Sequence, residues 1–139
     1  MILLGIDYGQ QRTGVAVCDP MGILASPLCV IEATGRRKLV AQLCELAKER
    51  QAGKFILGLP LRTDGSKGDK ALECEALAEA LRQQSGLPVQ LWDERFSSVQ
   101  AHQNLSAAGV RAKNRKHIID AAAAVVILQS FLDAGLWNP

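Results

Sequence analysis

The sequence predicts an α/β fold: a five-stranded mixed sheet, with three antiparallel N-terminal strands, two further parallel strands and helices on both faces. Three observations carry this. The first thirty or so residues hold three apolar runs joined by turns far too short for a parallel crossover, which needs a dozen residues or more. After Arg36 the apolar spacing changes from strand period to helix period. Each later apolar run, at 55–59 and 89–92, follows a helical stretch, giving the alternation of a parallel unit.

Residues 2–6 are continuously apolar and end at Asp7, the pattern of a strand covered on both faces. Gly9 offers a turn, and residues 14–18 read as the second strand. Asp19, Pro20, Met21 and Gly22 form a turn signal, and residues 23–31 make a third strand that Pro27 assigns to an edge. Leu39, Val40, Leu43, Leu46 and Ala47 then form the apolar stripe of a helix that Gly53 ends. The strand at 55–59 leads into a polar loop at 60–69 and a helix over 70–84, which Gly86 terminates. The strand at 89–92 ends in Asp93, Glu94 and Arg95. Ser97 or Ser98 caps a third helix running to about residue 108. A basic loop at 111–117 precedes a buried last helix with Asp120 at its start.

With 139 residues, the chain is expected to be one domain spanning 1–139. Its 48% apolar and 22% charged residues argue against disorder. A net charge of +2 identifies no polyanion partner, so a nucleic-acid argument must rest on local clustering. The length excludes enzymes that close one lobe onto another. Cys18, Cys29, Cys44 and Cys74 are widely spaced among apolar neighbours, as expected of reduced, buried thiols in a cytoplasmic protein. No signal peptide is visible, and the longest apolar run, 121–128, is well short of the ~20 residues that span a bilayer. No membrane partner is expected.

Three acidic points stand out because each is attached to an apolar element. Asp7 ends a strand that has no other use for a charge, so its carboxylate needs donors, water or a cation. A turn aspartate accepting N–H bonds near Gly9 is the plainer explanation. Asp93 and Glu94 follow an apolar strand at its carboxyl end, where α/β sheets collect ligands. Strand alternation keeps the two from facing one site unless the strand has ended, and Arg95 pairs with whichever points away. Asp120 is explained by a helix N-terminus only if the helix starts there. Together these acids form an oxygen-ligand cage of the kind Mg²⁺ prefers, and two such ions activate water against a phosphodiester. With only His102 and His117 in the chain, no histidine-based nucleophilic set competes.

Arg111, Lys113, Arg115 and Lys116 form an acid-free run close before Asp120, and Arg12 lies in the first turn. These are the candidate phosphate contacts, with Arg95. Arg36, Arg37 and Lys38 read as a solvated helix face. Aromatic residues make up only 4% of the chain, too few for a base-stacking platform, so backbone and shape recognition fits better.

The segments GIDYGQQRTGVAV, GLPLRTDGSKG, DERFSSVQA and the basic run followed by IIDAAAAVVILQ together resemble the YqgF/RuvX family of pre-16S rRNA nucleases. The resemblance covers nearly the whole chain in order. It implies an RNase H-like fold related to the RuvC resolvases. The activity it implies is metal-dependent cleavage of nucleic acid, either at the 5′ end of the small-subunit rRNA precursor or in branched DNA. Carried over by motif, the catalytic acids are Asp7, Asp93, Glu94 and Asp120. Asp7, Glu94 and Asp120 become the ligands of two Mg²⁺ or Mn²⁺ ions, with Glu94 favoured over Asp93. The implied partner is pre-rRNA or branched DNA, and a homodimer is left open. Gln11 and Gln100 depart from the family pattern, without removing a metal ligand. Two other classes fit parts of the sequence. One is a non-catalytic ribosome-assembly module on the same fold; the other is a small phosphate-binding ATPase, suggested by the loop from Asp7 to Gly14.

Overall fold

A computed structural model describes residues 1–32, 35–96 and 112–135. Five strands, β1 (Ile2–Asp7), β2 (Thr13–Cys18), β3 (Ala25–Ile31), β4 (Ala52–Leu59) and β5 (Val89–Asp93), form one sheet in the order β3-β2-β1-β4-β5. The first three pair antiparallel, whereas β4 lies parallel to β1 and β5 parallel to β4. The expected α/β mixed sheet is therefore present, with Pro27 on an edge strand.

Asp19 closes the β2–β3 turn, its carboxylate accepting the N–H groups of Met21, Ile23 and Leu24 at 2.7–3.1 Å. These bonds use up Ile23 and Leu24, so β3 begins at Ala25 rather than at residue 23. Helix α1 (Arg36–Arg50) ends differently from the sequence expectation too. Gln51 adopts the left-handed conformation at φ 56° and caps the helix, and Gly53 lies inside β4. A non-glycine residue here works because its N–H reaches the carbonyls of Ala47 and Lys48. Helix α2 (Asp69–Ser85) ends on Gly86 as expected, also left-handed.

Alternation along the strands sorts the apolar side chains onto two faces. Leu4, Ile6, Val15, Phe55 and Leu57 pack with Leu39, Leu43, Leu77 and Leu81 of α1 and α2. Leu3, Ile56 and Trp92 face the other way, onto Ala124, Leu128 and Phe131 of helix α3 (Ala112–Asp133). Gly5 lets α3 approach closely: a methyl group there would lie 2.7 Å from Leu128 Cβ and 3.1 Å from the Ala124 carbonyl oxygen. Trp92 meets Phe131 edge-on at 5.4 Å, and its Nε1–H donates to Ser130 Oγ. Emptying the Phe131 site would cost about 3–5 kcal/mol. Gln129 fastens the far end of α3 to the β2–β3 connection, accepting the Ala25 N–H and donating to the Ile23 carbonyl. Among the described residues, no helix is long and apolar enough to cross a membrane.

Helix α3 corrects two expectations. The basic run drawn as a loop at 111–117 is helical from Ala112 onward. Asp120 is consequently two turns inside α3, not at its start, and a helix N-terminus does not account for it. The helix expected to end near residue 108 falls outside the described residues.

Candidate active site

Because β1, β4 and β5 run parallel, their carboxyl ends meet at one edge of the sheet. Asp7 is the last residue of β1, and Glu94 opens a 3₁₀ turn (Glu94–Phe96) directly after β5. The register Ile6–Leu57 brings Asp7 level with Gly58, and Gly58 in turn pairs with Trp92. Leu3, Gly5 and Asp7 share the face covered by α3, as does Trp92. One residue past Trp92, Asp93 points away; the next, Glu94, returns across Gly58 to hydrogen-bond with Asp7.

Both acids are half-buried, and both hold their protons more tightly than free carboxyls do. For Asp7 the main cause is burial, opposed by the positive charge of Lys70 and by the hydrogen bond from Glu94. For Glu94 burial again leads, the charge of Asp7 adds to it, and Lys70 opposes. The two carboxyls thus compete for one cation, Lys70, and burial keeps the proton affinity of each above that of a free acid. Burial, reinforced by the same acids, pushes the Cys74 thiol up to about 11. That sulfur stays protonated, so the ligand atoms available here are hard oxygens.

Asp93 is in another environment altogether. Its carboxylate accepts from Arg95 Nε at 2.9 Å and from Arg95 Nη2 at 2.7 Å, and these bonds hold its pKa below the ordinary value. Arg95 Nη1 also donates to the Thr63 carbonyl, fastening the 60–68 loop beside the site. The loop has its own hairpin structure, with Arg62 N–H donating to the Ser66 carbonyl and Gly65 at φ 88°. Nor does Asp7 serve the turn at Gly9, whose N–H goes to Thr13 Oγ1 instead.

The RuvX family model, described as Holliday junction resolvase, matches residues 1–134. A relative from Syntrophomonas wolfei, named "Putative pre-16S rRNA nuclease", is 44% identical over 97% of this chain and 96% of its own. The chain belongs to the RuvX family. It is a family of nucleases. A Mycobacterium leprae relative of the same name is 46% identical over 94% of this chain and 71% of its own. Among solved structures, Thermus thermophilus RuvC bound to a Holliday junction substrate aligns with a TM-score of 0.59 at 17% identity, covering 98% and 96% of the two chains. The fowlpox virus resolvase, in complex with Holliday junction DNA, aligns at 0.61 and 14%, covering 99% and 100%. These likenesses show the RNase H-like fold.

For a RuvX chain, the structure sorts the expected site residues into four groups. Asp7 and Glu94 come together, and Asp93 turns to Arg95. Arg12 lies 3.7 Å from Glu32 on the surface. Arg111 and the side chains of Lys113, Arg115, Lys116 and Asp120 lie outside the described residues. Among the described residues no three His, Cys, Asp or Glu side chains form a metal-binding cluster. Lys70 was missed by sequence reasoning, and it is the cation nearest in influence to both acids. A lysine in the first turn of an ordinary amphipathic helix gives no signal of that.

Proposed function

We propose that this chain is a metal-dependent nuclease that hydrolyses phosphodiester bonds in structured nucleic acid, with the 5′ region of the small-subunit rRNA precursor as its substrate. The observation that carries this reading is the Asp7–Glu94 pair, two half-buried carboxyls facing one another at the carboxyl edge of the sheet. A buried acid pair with raised proton affinity is what a divalent cation relieves, since the ion replaces the shared proton and neutralises both charges. The donor set is all oxygen, which fits Mg²⁺ or Mn²⁺ and not a thiolate-seeking metal. Asp7 and Glu94 are the ligands from the sheet. Asp120 is the third, because position 120 lies one helical turn before Ala124, whose carbonyl oxygen sits over Gly5 on the face that carries Asp7. When bound, two such ions supply an activated water and charge neutralisation at the leaving oxygen.

The protein's own groups do the rest. Lys70 opposes protonation of the acid pair, and Arg95 holds the 60–68 loop at the rim. Arg111, Lys113, Arg115 and Lys116, in the basic run before Asp120, are the phosphate contacts that bring the backbone of the substrate to the acids. The rRNA assignment rests on the name shared by full-length relatives at about 40% identity. A second reading, cleavage of branched DNA, is favoured by the description of the matching family model.

The deciding experiment incubates purified protein and its Asp7→Asn variant with a 5′-extended small-subunit rRNA precursor and with a four-way DNA junction, in Mg²⁺ or Mn²⁺. Metal-dependent RNA cleavage by wild type alone supports the proposal. DNA cleavage alone selects the second reading. Binding without cleavage in any metal overturns both.

A further inference from the structure

We propose that Gly58 is a positioning residue of the active site: the space left by its missing side chain is the passage through which Glu94 reaches Asp7. The inference rests on the reading of Glu94 as a metal ligand and adds a residue that neither binds metal nor touches substrate. A methyl group on Gly58 would lie 2.8 Å from Glu94 Oε1, 3.2 Å from Glu94 Cγ and 2.6 Å from Ile127 Cδ1. Contacts below 3 Å are not tolerated, so something must move.

Two facts show why glycine is here. Gly58 is absent from the positive-φ glycines Gly22, Gly35, Gly65, Gly86 and Gly135, so backbone freedom is not what the position requires. A strand-interior glycine forfeits packing and chain stiffness, a cost that calls for a reason. The second fact comes from Gly5, another glycine of this face. A methyl group there meets a helix backbone carbonyl and a Cβ, which cannot swing aside. At Gly58 the obstructing atoms are the ends of two side chains. Gly5 sets how closely α3 sits on the sheet, whereas Gly58 sets where a carboxylate sits. Its location completes the argument. β4 separates β1 from β5, so a side chain crossing from the end of β5 to Asp7 must pass over β4 at the level of Gly58.

The test separates carboxylate placement from packing. Ile127→Val removes Cδ1 and with it the 2.6 Å obstruction, leaving the obstruction of Glu94 untouched. Four purified proteins are compared with wild type: Ile127→Val, Gly58→Ala with Ile127→Val, Glu94→Gln, and the triple variant. Each is measured for thermal unfolding, for Mn²⁺ affinity by electron paramagnetic resonance without substrate, and for cleavage. The Gly58→Ala/Ile127→Val protein is expected to melt close to Ile127→Val alone yet to bind Mn²⁺ roughly 10–100-fold more weakly, the usual effect of disturbing the support of a metal ligand. The triple variant is expected to bind no more weakly than Glu94→Gln, since both changes act through one carboxylate. Wild-type Mn²⁺ affinity in Gly58→Ala/Ile127→Val, with Glu94→Gln weakened, overturns the role of Gly58 and leaves the metal reading standing. Wild-type affinity in Glu94→Gln overturns the metal reading and this inference with it.

Discussion

Asp93 and Glu94 are joined by one peptide bond and live in opposite electrostatic worlds. Asp93 faces the Arg95 guanidinium and is held ionised below its ordinary pKa. Glu94 faces another carboxyl, Asp7, and burial holds both acids above theirs. The strand ending between them produces the difference, because alternation sends successive side chains to opposite faces. An acid supplied with a cation by the chain itself is a finished structural element. Acids that the chain buries against each other carry a cost that Lys70 offsets only in part, which makes the pair a candidate functional site.

The sharpest way to break this comparison is to neutralise each acid in turn. Asp7→Asn and Glu94→Gln are each expected to lower cleavage by more than about 100-fold, beyond what disturbing an outer support of a metal ligand costs. Circular dichroism of both variants should match wild type; retention of a tenth of the activity by either would refute the pairing. Stability is the next largest effect, and it runs the opposite way. Since the folded-state pKa values of Asp7 and Glu94 are raised, their contribution to stability is complete below the ordinary carboxylate range and is lost as pH climbs through the raised values. Asp7→Asn is therefore expected to unfold a few degrees above wild type at neutral pH in metal-free buffer, with the gap closing in acid. A lower melting temperature for the variant at pH 7 contradicts the sign.

Asp93 should give the mirror image at smaller size. Its pKa is lowered, so its contribution is present above the carboxylate range and falls away on acidification. Asp93→Asn is expected to melt below wild type at neutral pH while cleaving within roughly tenfold of it. The most local readout belongs to Arg95→Gln, which removes the donor to the Thr63 carbonyl as well as the cation beside Asp93. Faster hydrogen exchange in the 60–68 loop is expected for Arg95→Gln and not for Asp93→Asn, and unchanged exchange there would detach Arg95 from the loop.

The sheet was readable because short turns and continuous apolar runs leave few alternatives. Asp19, Pro20 and Gly22 allow only a hairpin, and the runs at 55–59 and 89–92 each follow a helix. The errors have definite causes. Charge made residues 111–117 look like a loop, although Lys and Arg form helices nearly as readily as Leu and the helix runs from Ala112. Gly53 looked like a helix terminator because it is the nearest glycine, but Gln51 satisfied the last carbonyls first. The acids themselves were visible as charges on apolar strands. Which of Asp93 and Glu94 meets Asp7 depends on the face that Trp92 occupies, and that is decided by the packing of Phe131 on α3, about forty residues away in sequence. Lys70 reaches the acids only through the placement of α2, which no local pattern records.

Pro27 on the outer rim of β3 bears on how these molecules behave in a crowd. A strand at the margin of a sheet invites the margin of another molecule to zip onto it, and every amide there is an invitation. Proline has none to offer, and the pairing of Pro27 with Ala16 coincides with a shift of register that bends the rim further from a flat template. One residue thereby leaves that margin a poorer template for fibrous self-association.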